Sequence, residues 1–151
     1  MLIKNNILSE VTNADINIDG TFTFPEGITE IDNNAFVYKK ALKTIEIPEG
    51  IKKIGSNAFH HCYNLSKVII PKTVDTIEDF AFADCPNLRS VILSGGIRKI
   101  EKFAFYECET LKSIVIPDSV IKIECSAFSN CRSLKSITIS KNITIIEDNC
   151  F

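Results

Sequence analysis

Apolar residues recur along this chain with a constant step of 23. Phe36, Phe59, Phe82, Phe105, Phe128 and Phe151 mark the step, each preceded by a small residue: Ala35, Ala58, Ala81, Ala104, Ala127 and Cys150. Other columns keep the same interval. Leu42, Leu65, Leu88, Leu111 and Leu134 form one, and Ile45, Val68, Val91, Ile114 and Ile137 a second. Ile47, Ile70, Leu93, Ile116 and Ile139 follow two residues later, and then come the columns that start at Ile51 and Ile54. A fixed period of this length is the signature of a repeat architecture, in which one unit cannot bury its apolar face alone and neighbouring units must stack.

Within a unit, as in Leu111-Lys112-Ser113-Ile114-Val115-Ile116, core residues two apart and β-branching predict a strand. Pro117 has no N–H for a ladder and ends it; Val120 and Ile123 begin a looser return segment. Ser126-Ala127-Phe128-Ser129-Asn130 reads as a short helical or 3₁₀ turn into the next unit. The predicted fold is an α/β solenoid, a right-handed coil with parallel strands on one face, short helical or 3₁₀ turns and irregular return segments. Phe22 and Phe24 continue the strand columns backwards, so the solenoid spans residues 22–151 in five to six units without a second domain. Residues 1–21 read as an N-terminal cap, with Ile16-Asn17-Ile18 alternating like a short strand.

Composition narrows the function. Seventeen Lys and Arg against 19 Asp and Glu, with a pI near 5.7, provide no global positive field for a phosphate backbone, so nucleic acid is not an expected partner. Apolar runs such as Val68-Ile69-Ile70 fall far short of the roughly 20 residues that span a bilayer, and no membrane insertion is expected. The segment from Met1 to Glu10 is broken by polar residues and does not read as a signal peptide.

The unit Cys62-Tyr63-Asn64-Leu65, Val68-Ile69-Ile70-Pro71, Val74, Ile77, Ala81-Phe82 resembles the BspA-like, or Treponema-type, leucine-rich repeat. The resemblance covers nearly nine-tenths of the chain. It implies a noncatalytic surface protein that adheres to or binds host proteins, and therefore a cell-surface or secreted location. The chain by itself, with no signal peptide or transmembrane segment read in it, suggests the cytoplasm, and both settings stay open.

Cys62, Cys85, Cys108 and Cys131 form a column three residues before the leucines. Zinc needs ligands that converge, whereas a 23-residue comb supplies a line, and stacked equivalent positions hold Cβ atoms too far apart for a disulfide. The column reads as buried thiols, with no metal or other cofactor. Cys125 is the exception, because its column holds the polar Asn33, Ser56, Asp79, Lys102 and Asp148, and it is expected to be an exposed thiol. His60 and His61 beside Cys62 invite a nucleophile or metal hypothesis, but as the only two histidines, confined to one variable turn, they read as surface residues. Gly95-Gly96 reads as a tight bend, and Asp32, Glu78, Glu101, Glu124 and Glu147 as a solvated carboxylate row.

What the repeat leaves free to vary is the outward side of the strands. The column Thr23, Glu46, Ile69, Ile92, Val115, Thr138 is apolar in three consecutive units, which predicts an exposed stripe of Ile69, Ile92 and Val115. Lys67 precedes the core residue of its strand, and Lys43, Arg89, Lys112 and Lys135 flank the strand starts, so the stripe gains a basic edge. A protein-interaction surface of unidentified partner is the function this arrangement predicts. The second reading is a structural or adhesive element that self-associates as a homo-oligomer through the last coil, because the chain stops at Phe151 before the next strand.

Overall fold

The computed structural model describes residues 1–151. Strands β1 (Leu2–Lys4) and β2 (Ile7–Glu10) form an antiparallel hairpin. They are followed by β3 (Glu30–Ile31), β4 (Thr44–Glu46), β5 (Lys53–Ile54), β6 (Lys67–Ile70), β7 (Thr76–Ile77) and β8 (Ser90–Leu93). The series ends with β9 (Lys99–Ile100), β10 (Ser113–Val115), β11 (Lys122–Ile123), β12 (Ser136–Thr138) and β13 (Ile145–Ile146).

These strands build a parallel β-solenoid. On the face predicted from the Ile45 column, β4, β6 and β8 form one sheet and β10 and β12 another. The return segments are not irregular, contrary to the sequence reading. Their two-residue strands form an eight-stranded sheet in the order β1-β2-β3-β5-β7-β9-β11-β13, parallel from β2 onward. Each partner lies 23 residues away, as in Ile54 opposite Ile77 and Ile77 opposite Ile100, so the repeat length sets the register directly. Two apolar residues spaced by three looked too sparse for a strand; stacking supplies the ladder that the local pattern does not advertise.

The α/β description also needs correction. Asn13–Asp15 is a single 3₁₀ turn, and no α-helix occurs. In the turns read as helical, alternate N–H groups point in different directions. Ala58, His60 and Cys62 donate to carbonyls three residues back, at Gly55, Asn57 and Phe59. Asn57, Phe59 and His61, alternating with them, donate across to Asp79, Ala81 and Ala83 of the next coil. Every N–H is satisfied, but half the bonds go to the neighbouring coil, which a helix cannot do. Left-handed backbone at Asn57 (φ 56°) and His61 (φ 58°) breaks the right-handed path and recurs at Phe80, Asp84, Phe103, Glu107, Ser126 and Asn130.

One core of 40 buried residues runs the length of the coil. Its spine is the phenylalanine column. Phe59, Phe82, Phe105 and Phe128 stack with centroids 4.9, 5.4 and 5.2 Å apart and planes within 6°, a spacing that follows from the strand separation. At the N-terminal end Phe22 closes the stack edge-on against Phe36, at 4.9 Å and 89°. Phe22 and Phe24 are nevertheless not in a strand. Ile16-Asn17-Ile18 is not one either: Ile16 is buried and Ile18 fully exposed. The hairpin supplies the first strand of the long sheet instead, with Leu8 opposite Ile31.

Candidate binding face and the turn edge

On the short-sheet face the register aligns Glu46 with Ile69, Ile69 with Ile92, and Val115 with Thr138. Inward alternation buries Val68, Val91 and Ile114 and turns the intervening residues outward. Val115 is 63% exposed and Ile92 46%, while Ile69 is half-buried. Lys67, Arg89, Lys112 and Lys135 are all exposed.

The stripe is interrupted. Between β8 and β10 the backbone ladder is absent, so the facing edges of these two strands are unpaired inside the sheet. A cleft of about 250 Å³ lies there, lined by Arg89, Ser90, Val91, Ile92 and Leu93 on one side and Ser113, Ile114 and Val115 on the other. A second hollow of about 320 Å³ lies further along the face, where Thr21 and Phe22 meet β4, and Lys67 and Ile69 line it too. The structure thus brings Ile92, Val115 and Arg89 to one cleft and Lys67 and Ile69 to another. Lys112 and Lys135 line neither.

The turn edge carries a constellation that the sequence reading set aside as surface residues. His60 and His61 do not stand as independent surface residues. His60 Nε2 lies 2.8 Å from Asp84 Oδ2 in the next coil, and the His60 and His61 rings stack at 3.8 Å. His61 stacks in turn on Tyr38 at 4.6 Å, and its Nδ1 lies 3.3 Å from the Tyr63 hydroxyl. Burial, with the neighbouring His60, lowers the pKa of His61. The aromatic row continues through Phe80 and Phe103, stacked at 4.7 Å, to Tyr106. Both phenylalanines adopt left-handed backbone, φ 56° and 57°, where the same column elsewhere has Asn34, Asn57, Ser126 and Asn149. A bulky residue there costs roughly 1–2 kcal/mol, which the ring stacking offsets in part. The available signal was the column itself: asparagines at a left-handed position, replaced twice by phenylalanine.

The carboxylate row is not simply solvated. Lys99 bridges Glu101 and Glu124 at 3.0 and 2.8 Å, and Lys122 bridges Glu124 and Glu147 at 3.2 and 2.8 Å, so the pairs zigzag across coils. Burial opposes ionisation of Glu124, yet Lys99 and Lys122 together outweigh it and hold the carboxyl below its ordinary range.

The cysteine column also does more than fill space. Each thiol donates to a phenylalanine carbonyl 26 residues back: Cys62 to Phe36 at 3.0 Å, Cys85 to Phe59 at 3.2 Å, Cys108 to Phe82 at 3.3 Å and Cys131 to Phe105 at 3.1 Å. Burial pushes the Cys62 thiol up to about 12. Cys125 is half-buried rather than exposed, because it packs within the turn of its coil, and all six cysteines are free.

Fold and face together define a β-solenoid repeat protein whose variable residues lie on the outward sheet surface and the turn edge. The chain belongs to the family described as BspA type leucine rich repeat region, whose six copies match residues 15–114 and 98–151. A leucine-rich repeat protein from Bacteroides ovatus is 27% identical, superposes with a TM-score of 0.77 and matches 97% of this chain. The T. pallidum leucine rich repeat protein shares the fold, with a TM-score of 0.77 over 94% of this chain at 20% identity. A leucine rich cell surface protein from Faecalibacterium prausnitzii is 31% identical over 85% of this chain, with a TM-score of 0.63. The chain spans 41%, 75% and 41% of those three proteins respectively. No curated protein matches it. No helix is long and apolar enough to cross a membrane.

Proposed function

We propose that the chain is a noncatalytic protein-interaction module that binds its partner on the short-sheet face, centred on Ile92 and Val115. The observation that carries this reading is the exposed apolar pair beside the unpaired strand edges of β8 and β10, at a cleft that Arg89 also lines. Apolar anchors within a polar, charged rim are the usual anatomy of such interfaces. Ile69 extends the contact toward the second hollow, and Lys67, Lys112 and Lys135 supply positive charge that favours an acidic partner surface. Free backbone donors and acceptors at the ladder break add hydrogen-bonding capacity. A cell-surface setting is supported by the description of the F. prausnitzii relative as a cell surface protein.

Quantitative pull-downs compare the wild-type chain with Ile92→Asp and Lys112→Glu. Proteins retained by the wild type are expected to be lost with Ile92→Asp and weakened with Lys112→Glu, while circular dichroism shows both variants folded. An unchanged set of captured proteins rules out this face.

A further inference from the structure

The His60, His61 and Asp84 constellation has the composition and geometry of a metal-ion site. One ring nitrogen from each histidine and one carboxylate oxygen of Asp84 lie within 4.8 Å of one another, and none of the three residues is fully buried. Adjacent ligands around a tetrahedral zinc ion, bonded at about 2.0–2.1 Å, lie roughly 3.3 Å apart. His60 Nε2 and Asp84 Oδ2, now 2.8 Å apart, need to separate by only about half an ångström, and the His61 ring nitrogen, within 4.8 Å of both, has to close by at most about 1.5 Å.

The framework around these ligands is fixed by backbone hydrogen bonds between coils. His61 N–H donates to Ala83, Asp84 N–H to Tyr106, and Tyr38 N–H to the His60 carbonyl. Left-handed backbone at His61 (φ 58°) and Asp84 (φ 54°), 23 residues apart, presents both side chains from equivalent points of successive coils. Tyr63, with its hydroxyl 3.3 Å from His61 Nδ1, offers the outer partner that fixes the tautomer of a ligating imidazole.

We propose that His60, His61 and Asp84 form a binding site for a late first-row divalent cation, Zn²⁺ being the reference ion, shared between two adjacent coils. Two imidazoles and one carboxylate select such ions over Mg²⁺ and Ca²⁺, which take oxygen ligands. Three protein ligands leave at least one coordination position open to water on the solvent side. Because the ligands come from two coils, the ion links them and stabilises the folded chain.

The repeat itself provides the variants. His60→Ala places at position 60 the residue found at Ala83 in the same column. His61→Asn and Asp84→Asn place there the residue found at Asn130, whose φ is 60°. Tag-free, chelator-treated protein is titrated with ZnCl₂ by calorimetry, with CoCl₂ by visible absorption, and with MgCl₂. The wild type is expected to take up one Zn²⁺ per chain, to gain thermal stability with it, and to show a cobalt spectrum without a thiolate charge-transfer band. Each variant is expected to bind Zn²⁺ at least about tenfold more weakly while keeping its metal-free Tm within a few degrees. Wild-type-like affinity in any of the three variants, a thiolate band with cobalt, or equal binding of Mg²⁺ overturns the site. So does a wild type that takes up no zinc.

Discussion

At the residue scale, the same side chain means different things in different columns. Five cysteines, at 62, 85, 108, 131 and 150, are buried, and Cys62 and Cys150 have pKa values raised to about 12 and 11 by burial. Thiolate, not thiol, is the nucleophile, so Cys62 and Cys150 are protected twice over, whereas Cys131, its pKa lowered by its hydrogen bond with Cys108, is protected by burial alone. Cys125, set in an otherwise polar column, is only half-buried. Brief treatment of the native chain with a thiol-specific alkylating reagent is expected to modify Cys125 alone, with the other five reacting only in denaturant, as read by peptide mass spectrometry. Early modification of Cys85 or Cys108 contradicts the inter-coil thiol ladder.

At the scale of the element, each strand is too short to stand alone and is held by what crosses to its neighbours. The two-residue strands β9, β11 and β13 are tied by backbone ladders and by the zigzag of Lys99, Lys122 and Glu124 beside them. Glu124 has a folded-state pKa below its ordinary 4.5, so its contribution is complete above that value and disappears as the pH falls through the folded pKa. Denaturant titrations are therefore expected to show stability declining below about pH 4.5. Lys99, whose pKa is raised chiefly by its hydrogen bond to Glu124, makes the opposite contribution, lost only as the pH rises through its folded value. Glu124→Gln should cost on the order of 1–2 kcal/mol at neutral pH, since it leaves Lys99 and Lys122 short of a partner, and it should flatten the acid limb. An acid limb unchanged by the substitution would assign that limb to other carboxylates.

For the whole molecule, stability is a sum of similar interfaces between coils, and the ends differ from the middle. The hairpin of β1 and β2 covers one end of the long sheet, whereas β13 leaves Ile145 and Ile146 exposed at the other. Light scattering over a concentration series distinguishes the two functional readings. A binding module that works through the Ile92 face stays monomeric as concentration rises. Self-association through the last coil raises the mass, and Ile145→Lys reverses it.

The repeat, its register and most of its core are legible in the sequence, because a constant step of 23 residues leaves one stacking arrangement in which Phe, Leu and Ile columns all meet their own kind. The outward stripe is legible too, because strand alternation dictates which side of β6, β8 and β10 faces away from the core. The second sheet was hidden, since a two-residue strand has no local signature and exists only through partners 23 residues away. The turns misread as helices show the same limit: the destination of each N–H is decided by the neighbouring coil. Nor could one dimension show the break between β8 and β10, or Asp84 lying beside His60. Distances across coils depend on how far the stacked ladders bring separate turns together, and only tertiary structure decides that.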